Sequence, residues 1–562
     1  MVTFFALCPL ISLVFSLLLL VHNLRPLAVI GAGFGIVFSI LLAASFFTLK
    51  RTNTYRFLLL TRKLYEYWSF ALIAGFICSR ALAVQSPKLF DAILAILWFG
   101  VVALKHGALY FLKDKRLAIA FPLMALPQKH KKSLIVEALE WIDAALYAIF
   151  FVVLTNIFVV QMYRIPSESM VPEFMIGDTV IGFKTSAGPV FPLSSFRLPQ
   201  WRSYKRGDIV ILHNPNYPDT PKARLKTFMS QLVYMLTFAQ VNLNTDDYGR
   251  QKADPLVKRI TGLPGEKLMM VDGVLYVKRA EDSGFSSVED ERRYAQWNLS
   301  ALPQSELQLV KDIKISKEEL AVMERIESVR KTVDFSEAAR TVNTLINRLA
   351  VLKHNTDTAK GDDFLQNTEY ELITLFTKND SISRTIATTN GGLDWFTSFM
   401  TSALTFWYQT DQTRVSLYEK RFAQLNILIK LCFGKLIVRN IELFNAQATG
   451  TAFRDDPVRN ALLREAQEYA FYLTWTNQRN MPVFPAEPEQ YIPESCYFMM
   501  GDNRFNSTDM RHAYFFHLAP VDIHDEKAVL FQSNSNPKYV NSEKILGTTV
   551  FRVFPFSRFG RL

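Results

Sequence analysis

The chain has 562 residues, three or four structural units at ~100–200 residues per domain, and its 49% hydrophobic content is concentrated in the first 163 positions. A formal net charge of +11 would suit a nucleic-acid partner, but much of the basic excess sits in loops beside the apolar runs, which points to a lipid bilayer and away from nucleic acid. The four cysteines form no disulfide framework and no metal-ligand pattern, so no metal or other cofactor is expected; a Cys432–Cys496 bridge stays open if that part of the chain lies outside the cytoplasm.

In chain order, residues 1–24 and 26–49 carry no charge and predict two membrane spans. Residues 1–21 could instead be a cleaved signal sequence. They lack a basic leading segment and a small-residue cleavage site before Arg25, so a retained anchor is the expectation. Residues 67–85, interrupted by Arg80, and 89–112, interrupted by Asp91, Lys105 and His106, predict a third and a fourth span, and 144–163 a fifth. Intramembrane charge can mark a transport path; here the few charged residues are read as lying near an interface by snorkelling. Lys50, Arg51, Arg56, Arg62 and Lys63 fill the second loop, and Lys113, Lys115, Arg116, Lys129, Lys131 and Lys132 the fourth, against Arg25 and Lys88 in the first and third. The excess of basic residues then puts both of those loops in the cytoplasm and delivers the chain after residue 163 to the outer face.

The stretch that follows, YRIPSESMVPEFMIGDTVIGFK over 163–184, cannot continue a helix, because Pro166 and Pro172 force a turn around Ser167 and Ser169. A β region comes next. Residues 178–183 alternate, Arg206-Gly207-Asp208 is a turn feeding a strand over 208–212, and 269–277 is a hairpin turning at Asp272-Gly273. Residues 225–240 read either as an amphipathic element on the bilayer or as a core helix. Residues 279–489 read as mostly helical, with Ser316 and Glu319 capping a helix whose apolar positions are Leu320, Met323, Ile326, Val329 and Val333. Residues 395–410 are uncharged and aromatic, suiting an interface or a buried contact, and 551–556 supply a late strand. The expected division is a membrane region 1–163, a β domain in two parts, 164–278 and 490–562, and a helical insertion 279–489 between them.

A serine hydroxyl needs a neighbouring base to act as a nucleophile, and a lysine serves only when desolvation lowers its pKa from about 10.4. In LVKRITGLPGEKL over 256–268, strand alternation sends Lys258 to the face opposite Val257 and Arg259. Lys258 can then be buried beside Ser169 while Arg259 reaches solvent or a carboxylate. Alone, such a Lys-Arg pair is more often an edge-strand surface feature. His213, His512 and His517 are the competing candidates for a base, and His213 is more simply a turn residue.

Together, PSESMVP, RGDIVIL, LVKRITGLPGEKL and YFMMGDNRFNSTDMR resemble, in order, the four boxes of bacterial type I signal peptidases, membrane-bound Ser/Lys proteases. With their flanks they cover roughly a fifth of the chain. The resemblance implies a mainly-β signal-peptidase-like catalytic domain behind the multi-span α-helical membrane region, interrupted by the large α-helical insertion. It makes Ser169 the nucleophile and Lys258 the general base, puts Ser167 with the Ser169 N–H in the oxyanion hole, and makes Ser507 a hydrogen-bond partner of the lysine. It pairs Asp509 with Arg511 and Asp502 with Arg259, and lines shallow pockets with Ile165, Met170, Phe174 and Val257. The implied substrates are exported preproteins with small residues at −1 and −3, cut at the outer, periplasmic face of a bacterial inner membrane. Glu173-Phe174 stands where Thr-Leu is usual, Phe505 replaces an aspartate and Met510 a serine; five spans and a helical insertion also exceed the family's usual form. A self-cleaving repressor on the same fold would be soluble, against the spans. A non-enzymatic scaffold or transporter with a relic protease domain is opposed by intact Ser169, Lys258 and Ser507.

Overall fold

The computed structural model describes residues 2–21, 25–51, 55–83, 88–113, 116, 133–237, 240–245, 249, 252–352, 370–409 and 414–561. Lys115, Lys129, Lys131 and Lys132, on which part of the orientation argument rests, lie outside them.

Among the described residues five helices open the chain: α1 Val2–Val21, α2 Pro26–Arg51, α3 Tyr55–Arg80, α4 Lys88–Phe111 and α5 Leu134–Phe158. Three stretches among the described residues, Pro26–Thr48, Lys88–Phe111 and Leu134–Phe158, are long and apolar enough to cross a membrane, and Phe5–Val21 is a shorter apolar helix. The first four pack around Tyr65, Trp68 and Phe76, all wholly buried. Gly31 and Gly75 let α2 and α3 touch backbone to backbone, since a Cβ on Gly31 would stand 2.3 Å from the Gly75 carbonyl oxygen. Arg80 and Lys105 do not snorkel. Arg80 meets Asp91 at 2.7 Å with both side chains buried, and Lys105 lies buried under the Phe70 ring at 4.3 Å, because partners inside the bundle satisfy them. α5 stands largely apart, joined to α3 through Lys63–Asp143 and the stacked rings of Phe70 and Phe150, 4.9 Å apart. Its end corrects the expected fifth span: the helix stops at Phe158, and Val160–Arg164 is already strand β1, paired with β2 Thr179–Phe183. The lack of charge that suggested a helix to 163 belongs equally to a half-buried strand.

The main sheet runs in the order β1-β2-β13-β3-β4-β9-β12, with β14 Gly560–Arg561 beside β13. Here β3 is Ile209–Leu212, β4 Leu256–Gly262, β9 Cys496–Met500, β12 Val540–Asn541 and β13 Ile545–Phe554, which begins well before the expected 551. The central strands β3 and β9 are buried at every residue, whereas β1 at the edge leaves Met162 and Arg164 exposed. A second sheet, β7-β6-β5-β8, holds the expected hairpin between β5 Glu266–Val271 and β6 Val274–Arg279. Val271 pairs with Val274, so Asp272 and Gly273 alone make the turn, with φ of 54° and 79°. β7 Ser286–Ser287 and β8 Met481–Phe484 are the outer strands, and β10 His512–Pro520 pairs with β11 Leu530–Ser535 as a separate ribbon.

The helix α6 Pro221–Leu236 fills most of the 225–240 stretch. It joins none of the apolar cores, against the core-helix alternative, and its Tyr234 hydroxyl accepts the Arg164 N–H at 3.1 Å, beside the end of β1. The longer of the later helices among the described residues are α7 Lys317–Lys331, α8 Phe335–Leu352, α9 Leu372–Thr377, α10 Asn379–Thr388, α11 Gly392–Gln409, α12 Leu417–Asn445 and α13 Pro457–Arg479. Capping boxes start α7 at Ser316/Glu319 and α12 at Ser416/Glu419. Leu320, Met323 and Ile326 enter the core, whereas Val329 stays exposed and Val333 lies past the helix end. α11 is a buried contact: Trp395, Phe396, Phe399 and Met400 are core. That core also takes in Phe505, Val521, Val529 and Phe531, so helices and C-terminal β segments share one interior. Cys432 lies in it and Cys496 in the β core; both are free, and the bridge held open above does not form.

Candidate active site

The loop after β1 is closed at its base. Ile165 N–H donates to Asp178 O at 2.8 Å and Gly177 N–H returns to Ile165 O at 2.9 Å. At its tip the Ser169 carbonyl accepts from Asn503 N–H at 3.2 Å, and Asn503 Nδ2 donates to Glu168 O at 3.1 Å. Gly501 makes this approach possible, because a Cβ there would stand 2.4 Å from Ser169 O and 2.3 Å from Ser507 Oγ.

Strand β4 lies between β3 and β9, with Lys258 opposite Val210 and Arg259 opposite Met500. The alternation read from the sequence is realised: Lys258 is 2% exposed, and its Nζ stands 2.7 Å from Ser169 Oγ. Burial pushes the Lys258 amine down to about 8; Asp509 and Asp502 oppose this and Arg511 adds to it. Ser167 Oγ, on the exposed side, donates to Ser169 Oγ at 3.4 Å.

Asp509 is saturated. Arg511 Nε and Nη2 each donate to it at 2.8 Å, Gly501 N–H at 2.9 Å, and the Ser507 hydroxyl at 2.8 Å. Burial opposes its charge, but the Arg511 guanidinium holds the carboxyl far below the usual range. The resemblance gave the Ser507 hydroxyl to the lysine; here that hydroxyl donates to Asp509, a charged acceptor two residues away. Arg259 Nε and Nη2 grip Asp502 at 2.8 and 2.6 Å, so the second basic side chain of β4 reaches a carboxylate and not solvent.

Ile165, Met170 and Phe174 share one apolar cluster with Tyr163, Val180, Ile209 and Ile211, and Val257 packs on its rim. Of the four predicted pocket residues Val257 is half-buried and Ile165, Met170 and Phe174 are buried. None of the three histidines takes the place of the lysine: the His213 ring faces Asp254 at 3.3 Å, the buried His512 ring meets Asn477 O at 3.2 Å and lies 3.9 Å from Asp509, and His517 is exposed on β10.

Sequence reasoning missed Glu173, Asn503 and Tyr294. Glu173 Oε2 takes a third Arg259 contact at 3.2 Å, and the Tyr294 ring lies 4.0 Å from the guanidinium carbon. The signal for Glu173 was the departure itself, a carboxylate where threonine is usual. Nothing local marks Tyr294, which follows the last strand of the β5–β6–β7 run in the chain.

A hydroxyl in contact with a buried amine of lowered basicity, with a second hydroxyl beside it and no solvent at the amine, is equipped for acyl transfer. The family model described as signal peptidase, peptidase S26 matches residues 138–329 and 445–554, more than half of the chain and all of the residues just described. The unmatched residues 330–444 fall within the helical region. Two similar relatives are signal peptidase I of Buchnera aphidicola subsp. Baizongia pistaciae, 30% identical over 127 residues, and signal peptidase I of Buchnera aphidicola subsp. Schizaphis graminum, 27% identical over 126. Each alignment takes in 22% of this chain, and the chain spans 30% and 29% of the two relatives' lengths.

Proposed function

The chain belongs to the signal peptidase family, peptidase S26, and from that we propose that it is a membrane-bound serine endopeptidase that removes signal peptides from exported preproteins through Ser169 and Lys258. The observation that carries this reading is the 2.7 Å contact between Ser169 Oγ and the Nζ of a lysine that is 2% exposed. In the neutral amine the contact reverses: the Ser169 O–H donates, and Lys258 Nζ takes the proton as Oγ attacks the scissile carbonyl carbon. The oxyanion that forms is met by the Ser167 hydroxyl and the Ser169 N–H. The Lys258 ammonium then gives its proton to the departing amine, the C–N bond breaks, and an acyl-Ser169 ester remains. Water attacks that ester with Lys258 again taking the proton, which releases the signal peptide's new carboxylate and restores the hydroxyl.

In this reading the apolar helices up to Phe158 hold the chain in the inner membrane, with the basic loops inside and Ser169 at the outer face. Residues 164–278 and 490–562 form the catalytic domain around the helical insertion 279–489. The apolar floor of Ile165, Met170 and Phe174, rimmed by Val257, favours small side chains at −1 and −3 of the substrate by overlap with anything larger. The test is a library of preproteins varied at −1, given to the purified protein in detergent. Ala, Gly and Ser at −1 should be cut and Leu and Phe rejected; cleavage indifferent to −1 would refute the pocket and with it the substrate class.

A further inference from the structure

Between Ser167 and Ser169, the side chain of Glu168 turns away from the site and is 5% exposed. Its carboxylate takes the backbone N–H of Lys311 at one oxygen and that of Asp312, at 3.2 Å, at the other, with Asn506 Nδ2 at 3.4 Å beside it. Both backbone donors belong to the segment that runs from the second sheet into α7. The same segment supplies an apolar half to the contact, as Leu299, Leu302 and Val310 pack on Val171 and Met175 just past the serines. A carboxylate buried with two backbone N–H groups is a rigid joint, because each donor left without it would be unpaired away from water. The serine turn is thus held on one side by Asn503 and on the other by the entry to the helical region.

We propose that Glu168 is a positioning residue, through which the strand of chain leading into the helical insertion sets the Ser169 hydroxyl against Lys258. The inference rests on reading Ser169 as the nucleophile. It makes the insertion part of the machinery that aims the reacting group, acting through Ser169 and touching no substrate itself.

The experiment is steady-state cleavage of a preprotein with an Ala-X-Ala site by the full-length protein in detergent, with the melting temperature of each variant recorded. Lys311→Pro deletes one of the two N–H donors without altering the serine turn, and Lys311→Ala keeps it. Relative to Lys311→Ala, Lys311→Pro should lose about ten- to a hundredfold in kcat, with KM held within about twofold, since a displaced nucleophile slows chemistry more than binding. Glu168→Ala should lose a similar factor, Glu168→Gln less, and the double variant Glu168→Ala/Lys311→Pro no more than Glu168→Ala alone. Equal kcat for Lys311→Pro and Lys311→Ala, losses that multiply in the double variant, or a fall in kcat that tracks melting temperature across the series would each overturn the proposal. Should Glu168→Ala not fold, the Lys311 pair decides by itself. Ser169→Ala in the same assay separates the two levels: if it is dead while the Lys311 pair is equal, only the positioning role fails, and if it turns over, the nucleophile reading fails and takes this proposal with it.

Discussion

The Phe505 ring stands edge-on to Trp297, centroids 5.3 Å apart, and so inserts the fourth box of the catalytic region into the core of the helices. Trp475 of α13 closes the other side at 6.0 Å. An aspartate at 505, as is usual in the resembled boxes, would bury an unpaired charge among aromatics. Phe505→Ala should therefore cost ~3–5 kcal/mol, the range for a large aromatic removed from a core, and Phe505→Asp at least as much. Thermal unfolding in detergent checks this, and a melting temperature unchanged in both variants would mean that the two regions do not share a core.

The other departures have equally concrete partners. Glu173 supplies Arg259 with a second carboxylate, Met510 is buried in the β core, and Phe174 is part of the apolar cluster with Ile165 and Met170. Read in sequence, each is one unusual letter; its reason lies across the fold, as with Arg259 and Glu173, 86 residues apart. Local rules carried the hairpin at Asp272-Gly273, the capping box at Ser316 and the side to which Lys258 points, because these depend on neighbours in the chain. They failed at the end of α5, where an uncharged run serves helix and strand alike and pairing of Val160 with Phe183 decides. They failed too at Arg80, whose partner Asp91 lies across a helix turn-around.

Phe174 is 0% exposed, so its removal opens a cavity under the site and does not simply widen a surface pocket. Phe174→Ala should cost ~3–5 kcal/mol and let larger side chains at −1 settle into the floor. Profiling the −1 library with wild type and variant reads this directly; an unchanged profile would mean that the ring supports the loop without shaping the pocket.

Gly501 has no room for a methyl group between Ser169 O and Ser507 Oγ, at 2.4 and 2.3 Å from its notional Cβ. Gly501→Ala must push the serine turn outwards, and a shift near 1 Å at a nucleophile costs on the order of a hundredfold in rate. Cleavage kinetics of Gly501→Ala at its wild-type folding level provides the check; activity within about twofold of wild type would contradict the close approach.

With its folded pKa at about 8, Lys258 is an ammonium below that pH and cannot accept the Ser169 proton. Activity should therefore rise with pH, about tenfold per unit on the acid side, and level off above a midpoint near 8. Asp509 raises the Lys258 pKa, so Asp509→Asn should move the midpoint to lower pH while reducing the plateau. A pH–rate profile of both proteins gives the sign, and a midpoint that stays or rises in Asp509→Asn would show that another group controls the acid limb.

The most direct test of the Ser169–Lys258 pairing is the cleavage rate of an Ala-X-Ala preprotein by Ser169→Ala, Lys258→Ala, Lys258→Arg and the double variant Ser169→Ala/Lys258→Ala. Residues that act as one unit do not lose activity additively, and guanidinium cannot serve as a base. All four proteins should be folded, inserted and reduced to the same background rate, whereas substantial turnover by any one of them would contradict the assignment.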